Sequence, residues 1–166
     1  MKKSFALAAL ALLVAGAAQA QTTASITATA LVAGPLSVVA NQNLDFGTVI
    51  PGTPRTIDPL LSASAGRFTL TGGANAQVQL TWTFPAGNVL SDGATHTMPV
   101  TFTPVYNTVS TQATATALIT PVDANRRLSG AGDAYIWVGG TVTPGAGQFV
   151  ATYNGTVQLD VAYTGN

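Results

Sequence analysis

Residues 77–84 read Gln-Val-Gln-Leu-Thr-Trp-Thr-Phe, and residues 156–163 read Thr-Val-Gln-Leu-Asp-Val-Ala-Tyr. The first alternates strictly between apolar and polar, and the second does so up to Ala162. A β-strand turns successive side chains to opposite faces, so each stretch sends four large apolar groups to one side. Val78, Leu80, Trp82 and Phe84 form one such face; Val157, Leu159, Val161 and Tyr163 form the other. A helix would scatter these residues around its axis. The two stretches therefore predict half-buried strands that need a shared core.

The same period recurs outward from them. Ile26, Ala28, Ala30 and Val32 alternate with Ser25, Thr27 and Thr29, and Met98, Val100 and Phe102 alternate with threonines. Weaker strands are expected at 36–39, 44–49, 67–71, 111–119 and 135–142. A helical turn is expected only at 58–65, where Pro59 suits a first helical position. Gly34-Pro35, Pro51-Gly52, Gly72-Gly73, Asp92-Gly93 and Gly145-Ala146-Gly147 supply turns between them. Strands at such spacing, broken by such turns, predict an all-β chain folded as a single immunoglobulin-like antiparallel β-sandwich. Asn154-Gly155 suits either a tight hairpin or the start of one long final strand. The second reading is preferred, with 145–148 as the turn and 141–143 pairing back onto the last strand.

Composition narrows the function. The chain has 166 residues, the length of about one domain, with no Cys and only 7% charged residues. Without Cys there is no disulfide framework, thiolate metal site or cysteine nucleophile. Nucleic-acid binding needs clustered Lys and Arg, which are absent. No Glu occurs anywhere, no Lys follows residue 3, and there are 25 Thr. Surfaces built from threonine rather than Glu and Lys suit strands, not helices.

Residues 1–20 have the pattern of a cleaved secretory leader. Lys2 and Lys3 precede an apolar run at 5–16, and Ala18-Gln19-Ala20 is a small-x-small cleavage site. Export to the periplasm, cell surface or medium follows as an expectation, with no membrane insertion after cleavage. Residues 21–166 then form the β-sandwich domain, with four arginines against six aspartates and a net charge of −2. Residues 21–33 are a candidate N-terminal donor strand.

Catalytic constellations are thin. His96 is the sole histidine, in a turn beside Asp92, and no Gly-x-Ser-x-Gly elbow exists. The six Asp are scattered singly, which does not suit a glycosidase pair. No enzyme activity and no cofactor are expected. Asp123, Asn125 and Asp133 offer oxygen ligands in the loop 121–133 and are a weak calcium candidate. The intervening Arg126-Arg127 explains the acids equally well by ion pairing. Tyr135 and Trp137 share one strand face, which is either packing or a ligand surface.

The motifs LDFGTVIPG at 44–52, GRFTLTGG at 66–73, MPVTFTP at 98–104 and VGGTVTPGAGQFVATYNGTVQLDVAY at 138–163 occur in that order. With them the chain resembles a family of secreted bacterial β-sandwich proteins of unknown function. That family is distantly similar to the spore coat U domain and to chaperone–usher pilin subunits. The resemblance implies an extracellular structural or adhesive role and supplies no catalytic residues. Such pilins are sandwiches lacking one strand, which a neighbour's N-terminal segment provides. Ile26, Ala28, Ala30 and Val32 are the candidate donor residues. Val157, Leu159, Val161 and Tyr163 are the candidate acceptor strand. Two Ala among the donors and the missing cysteine pair depart from the pilin pattern.

The function expected is therefore a non-enzymatic structural or adhesive surface protein, a pilin-like subunit assembling by strand addition. Its partners would be itself, as a homopolymer, or a periplasmic chaperone. The alternative is a monomeric carbohydrate- or ligand-binding module using Tyr135, Trp137 and the loop 121–133. Whether residues 25–32 pair in cis or in trans is open at this level.

Overall fold

The computed structural model describes residues 23–28 and 34–165. Ten strands follow in order: β1 (Ser37–Gln42), β2 (Arg55–Ile57), β3 (Gly66–Thr71), β4 (Gln77–Thr83), β5 (Val89–Ser91), β6 (Thr97–Asn107), β7 (Thr116–Ala117), β8 (Val122–Arg127), β9 (Asp133–Val142) and β10 (Gln158–Tyr163). They form two antiparallel sheets. The larger has the order β1-β3-β9-β6-β5, with β2 pairing β9 beyond the end of β3 and β7 pairing the far end of β6. The smaller has the order β10-β4-β8. The all-β sandwich read from the alternating stretches is the fold observed.

The two stretches that predicted the fold pair with each other. Leu159 faces Trp82 and Val161 faces Leu80 across β10 and β4. Their apolar faces pack on β3 and β9, where Leu70, Ile136 and Val138 are buried with Val78, Leu80 and Leu128. An aromatic row runs through this core. Phe68 meets Trp82 edge-on, Trp82 stacks on Phe84, and Phe84 stacks on Phe102 at 5.0 Å between ring centres.

A second apolar layer lies on the outer face of the larger sheet. Trp137, on β9, is 5% exposed and packs with Ile57, Ala65 and Val105, with half-buried Leu60 and Tyr135 beside it. The cover is the segment 58–65. It makes a single turn, with the Ser62 N–H donating to the Asp58 carbonyl and the Leu60 N–H to the Asp58 carboxylate. Gly139 has no side chain for a steric reason: a Cβ there would collide with the Ile57 carbonyl and Pro59. β9 is thus buried on both faces, which suits its Tyr-Ile-Trp-Val run.

Several expectations need correction. Residues 44–49 form no strand. The Asp45 carboxylate accepts the Gly47 N–H, and Gly47 sits at φ +63, so the chain bends where alternation suggested extension. Only Thr116–Ala117 of 111–119 is strand; Asn107 donates to Thr111 and Thr114 and curls the preceding residues into a short turn. Residues 141–143 do not pair with the last strand. Thr141 lies between Thr56 and Thr101 in the larger sheet, whereas β10 belongs to the smaller one. The expected loop 121–133 contains β8, whose alternation is masked by Asp123 and two arginines.

Residues 31–166 form one unit. Of the preceding unit, residues 23–28 are described. They are exposed and carry no strand, and Ile26 is 96% exposed. Ala30, Val32 and the leader at 1–20 lie outside the described residues.

Candidate functional site

β10 is the strand to which the sequence assigned an acceptor role. Leu159 is buried; Val157, Val161 and Tyr163 are half-buried against the core, and Gln158, Asp160 and Ala162 are exposed. Among the described residues β10 pairs with β4 alone, so its other edge is free. The Thr164 N–H donates to the Gln77 carbonyl of the β4 side. The backbone groups of residues 158, 160 and 162 share that direction. By the two-residue period, those of Leu159, Val161 and Tyr163 point to the free edge. Across the sandwich from this edge runs β1, itself an edge strand that among the described residues bonds only to β3.

The opening between β1 and β10 is closed at one end. The Tyr163 hydroxyl accepts the Gly73 N–H at 2.7 Å and donates to the Gly34 carbonyl at 2.8 Å. Leu36 and Leu128 lie beside it, against Gly72, leaving no room for a Cβ there. At the other end the opening widens into a groove of about 510 Å³. Its walls are the segment 44–51, which continues β1, and the segment 144–155, which leads into β10. Leu44, Phe46, Leu90, Met98, Phe102 and Tyr153 supply an apolar lining. Leu44 and Phe46 are not legible as groove residues because their alternation predicts a strand over 44–49. The Asp45-x-Gly47 spacing was the available sign of a bend.

The 144–155 wall is anchored. His96 stacks on Phe149 with ring centres 4.2 Å apart and bonds Asp92 through Nδ1 at 2.6 Å. That bond, followed by the Ala94 N–H, holds the Asp92 carboxyl below its ordinary value. Gln148 donates to the Thr97 carbonyl and to the Tyr153 hydroxyl. The Gly52 N–H donates to the Gly145 carbonyl and ties the two walls together. His96 thus packs on the 144–155 wall and bonds Asp92.

The other candidates separate. Asp123 sits in β8 of the smaller sheet and Asp133 begins β9 of the larger one. Burial alone would push the Asp123 carboxyl up. Arg126, donating through Nε and one terminal nitrogen at 2.8 Å each, and the Ile119 N–H outweigh this and hold it below the usual range. Asp123 therefore already has its cation. Among the described residues no three His, Cys, Asp or Glu gather at one place. Trp137 and Tyr135 lie in the outer apolar layer, with Trp137 covered by 57–65 rather than offered as a platform.

Among the described residues no helix is long and apolar enough to cross a membrane. No curated protein is similar enough to this chain to count as a relative. A family model described as domain of unknown function (DUF4402) matches residues 36–163. That range begins one residue before β1 and ends on the last residue of β10, so it covers the sandwich and its open edge but leaves out residues 25–32. The chain belongs to this DUF4402 family of unknown function.

Proposed function

We propose that the chain is an exported, non-enzymatic structural or adhesive surface subunit that assembles by strand addition. The observation that carries this reading is the free edge of β10 over an incompletely closed core. That edge offers the backbone groups of three consecutive inward-facing residues, the array an added strand requires. Val157, Val161, Phe84 and Phe102 remain half-buried beside it. The donor is the segment 25–32 of a second copy, whose described part is exposed and strandless. Ile26 and Val32 supply its two large side chains. The resemblance to spore coat U and pilin subunits supports the same reading. With a 7% charged composition, little like-charge repulsion opposes assembly.

The test is competition. A synthetic peptide of residues 23–34, added in excess to the exported chain during assembly, is expected to occupy free β10 edges and shorten the oligomers. A peptide carrying Ile26→Asp and Val32→Asp should have no such effect. Equal action of the two peptides, or of neither, contradicts strand addition. A second reading rests on the 510 Å³ groove, whose lining mixes polar and apolar groups and which fits a monomeric ligand-binding module. In that case the chain stays monomeric at every concentration.

A further inference from the structure

We propose that the groove between 44–51 and 144–155 binds a small aromatic amine, its ring on the apolar floor and its ammonium on the Asp45 carboxylate. This rests on the ligand-binding reading of the groove and names its ligand class. It concerns a single copy and makes no demand on assembly.

The floor is built for a ring. Leu90, Met98 and Val142 are buried there, and half-buried Phe46, Phe102 and Tyr153 pack against them. Phe102 ends the aromatic row that starts in the core. The Trp82, Phe84 and Phe102 rings lie nearly parallel, at 6° and 4° between successive planes, and Phe102 lines the groove. A ligand ring in the groove thus meets an aromatic partner that the core already holds in place. The Met98 thioether, in the same floor, also favours aromatic contact. The volume of about 510 Å³ suits a molecule of this size. The walls need no rearrangement to receive it. Gln148 is bonded to the Thr97 carbonyl and the Tyr153 hydroxyl, and that hydroxyl donates to the Phe149 carbonyl. A fixed wall lowers the ordering cost of binding.

Charge selects the head group. Among the described residues the lining holds one carboxylate, Asp45, and no Lys, Arg or His. An anionic ligand would meet only repulsion, whereas a cation would meet its counter-charge. Asp45 is also the acid with capacity left. Asp123 is bonded to Arg126 and Asp92 to His96. The Asp45 carboxylate accepts the Gly47 N–H through Oδ1 at 2.7 Å. Among the described residues it forms no ion pair, and its Oδ2 accepts no hydrogen bond. Arg55 lies near Gly47 but outside the lining, and it is not ion-paired with Asp45. The Asp45 backbone is pinned, its N–H donating to the Ser64 carbonyl at 3.0 Å. An ammonium at Oδ2 forms a charge-assisted hydrogen bond on a fixed acceptor.

Three probes with one ring and different heads test this: phenethylamine, phenethyl alcohol and phenylacetate, each titrated calorimetrically into the full chain at neutral pH. The amine should bind about tenfold more tightly than the alcohol, and the acid most weakly. Added salt should weaken the amine and leave the alcohol unchanged. Asp45→Asn keeps an acceptor for the Gly47 N–H, so the bend at 45–47 should survive, as an unchanged melting temperature would verify. That variant should lower amine affinity to the level of the alcohol without moving the alcohol itself. Phe102→Ala should weaken both. Alcohol and amine binding alike, or amine binding that ignores Asp45→Asn, would overturn the ammonium–Asp45 pairing while the ligand-binding reading of the groove stands. No binding of any of the three would overturn both.

Discussion

Asp123 shows how a charge is kept in a chain that uses few. It is 3% exposed, bonded twice by Arg126 and once by the Ile119 N–H, and Arg126 in turn lies over the Tyr106 ring. Burial, joined by the Asp123 charge, pushes the Tyr106 hydroxyl up to about 12 against the opposing pull of Arg126. Its proton is donated to the Arg127 carbonyl. Replacing Asp123 with Asn leaves Arg126 without its anion and should cost about 2 kcal/mol, measured by denaturant unfolding. The sign of the pH effect follows from the direction of the shift. A carboxyl held below its ordinary 3.8 adds stability at pH above that value, and the contribution is lost as pH falls through the lower folded value. Asp92 acts in the same direction. The melting temperature should therefore be flat near neutrality and fall below about pH 4, and Asp123→Asn should flatten part of that fall. A residue-level prediction also attaches to Gly139. Gly139→Ala pushes against the Ile57 carbonyl and Pro59, so it should lift the 57–65 cover and lower the melting temperature.

Among the elements, β4 and β10 were legible because large apolar side chains recur at every second position along them. Together with β3, β6 and β9 they made the fold class readable. The groove was not, since Leu44 and Phe46 alternate as a strand would, and only the Asp45–Gly47 turn bends them away. β8 was hidden because its buried position is an ion-paired aspartate rather than an apolar residue. β2 and β5 have three residues each, too few to show a period. Trp137 and Tyr135 stayed ambiguous because periodicity gives a face but not what covers it. Leu159→Ala, which removes the best-buried side chain of β10, should cost about 3 kcal/mol. It should weaken assembly as well as folding, whereas Trp137→Ala should destabilise the outer layer and leave assembly of the folded fraction unchanged. Sedimentation of the folded fraction separates the two.

For the whole molecule, the central claim is that the sandwich is open along β10 and is completed by another copy. The family match ends with β10 and does not include the segment proposed to complete the sandwich. Expression of the full chain in a Gram-negative host should yield an exported product whose intact mass begins at Gln21. The most direct measurement is the mass distribution of that product by light scattering, beside the same chain lacking residues 21–33. The account predicts polymers from the first and folded monomers from the second. A stable monomer from the intact chain, with the shortened chain unfolding, would contradict it and make the N-terminal segment a strand of its own sandwich.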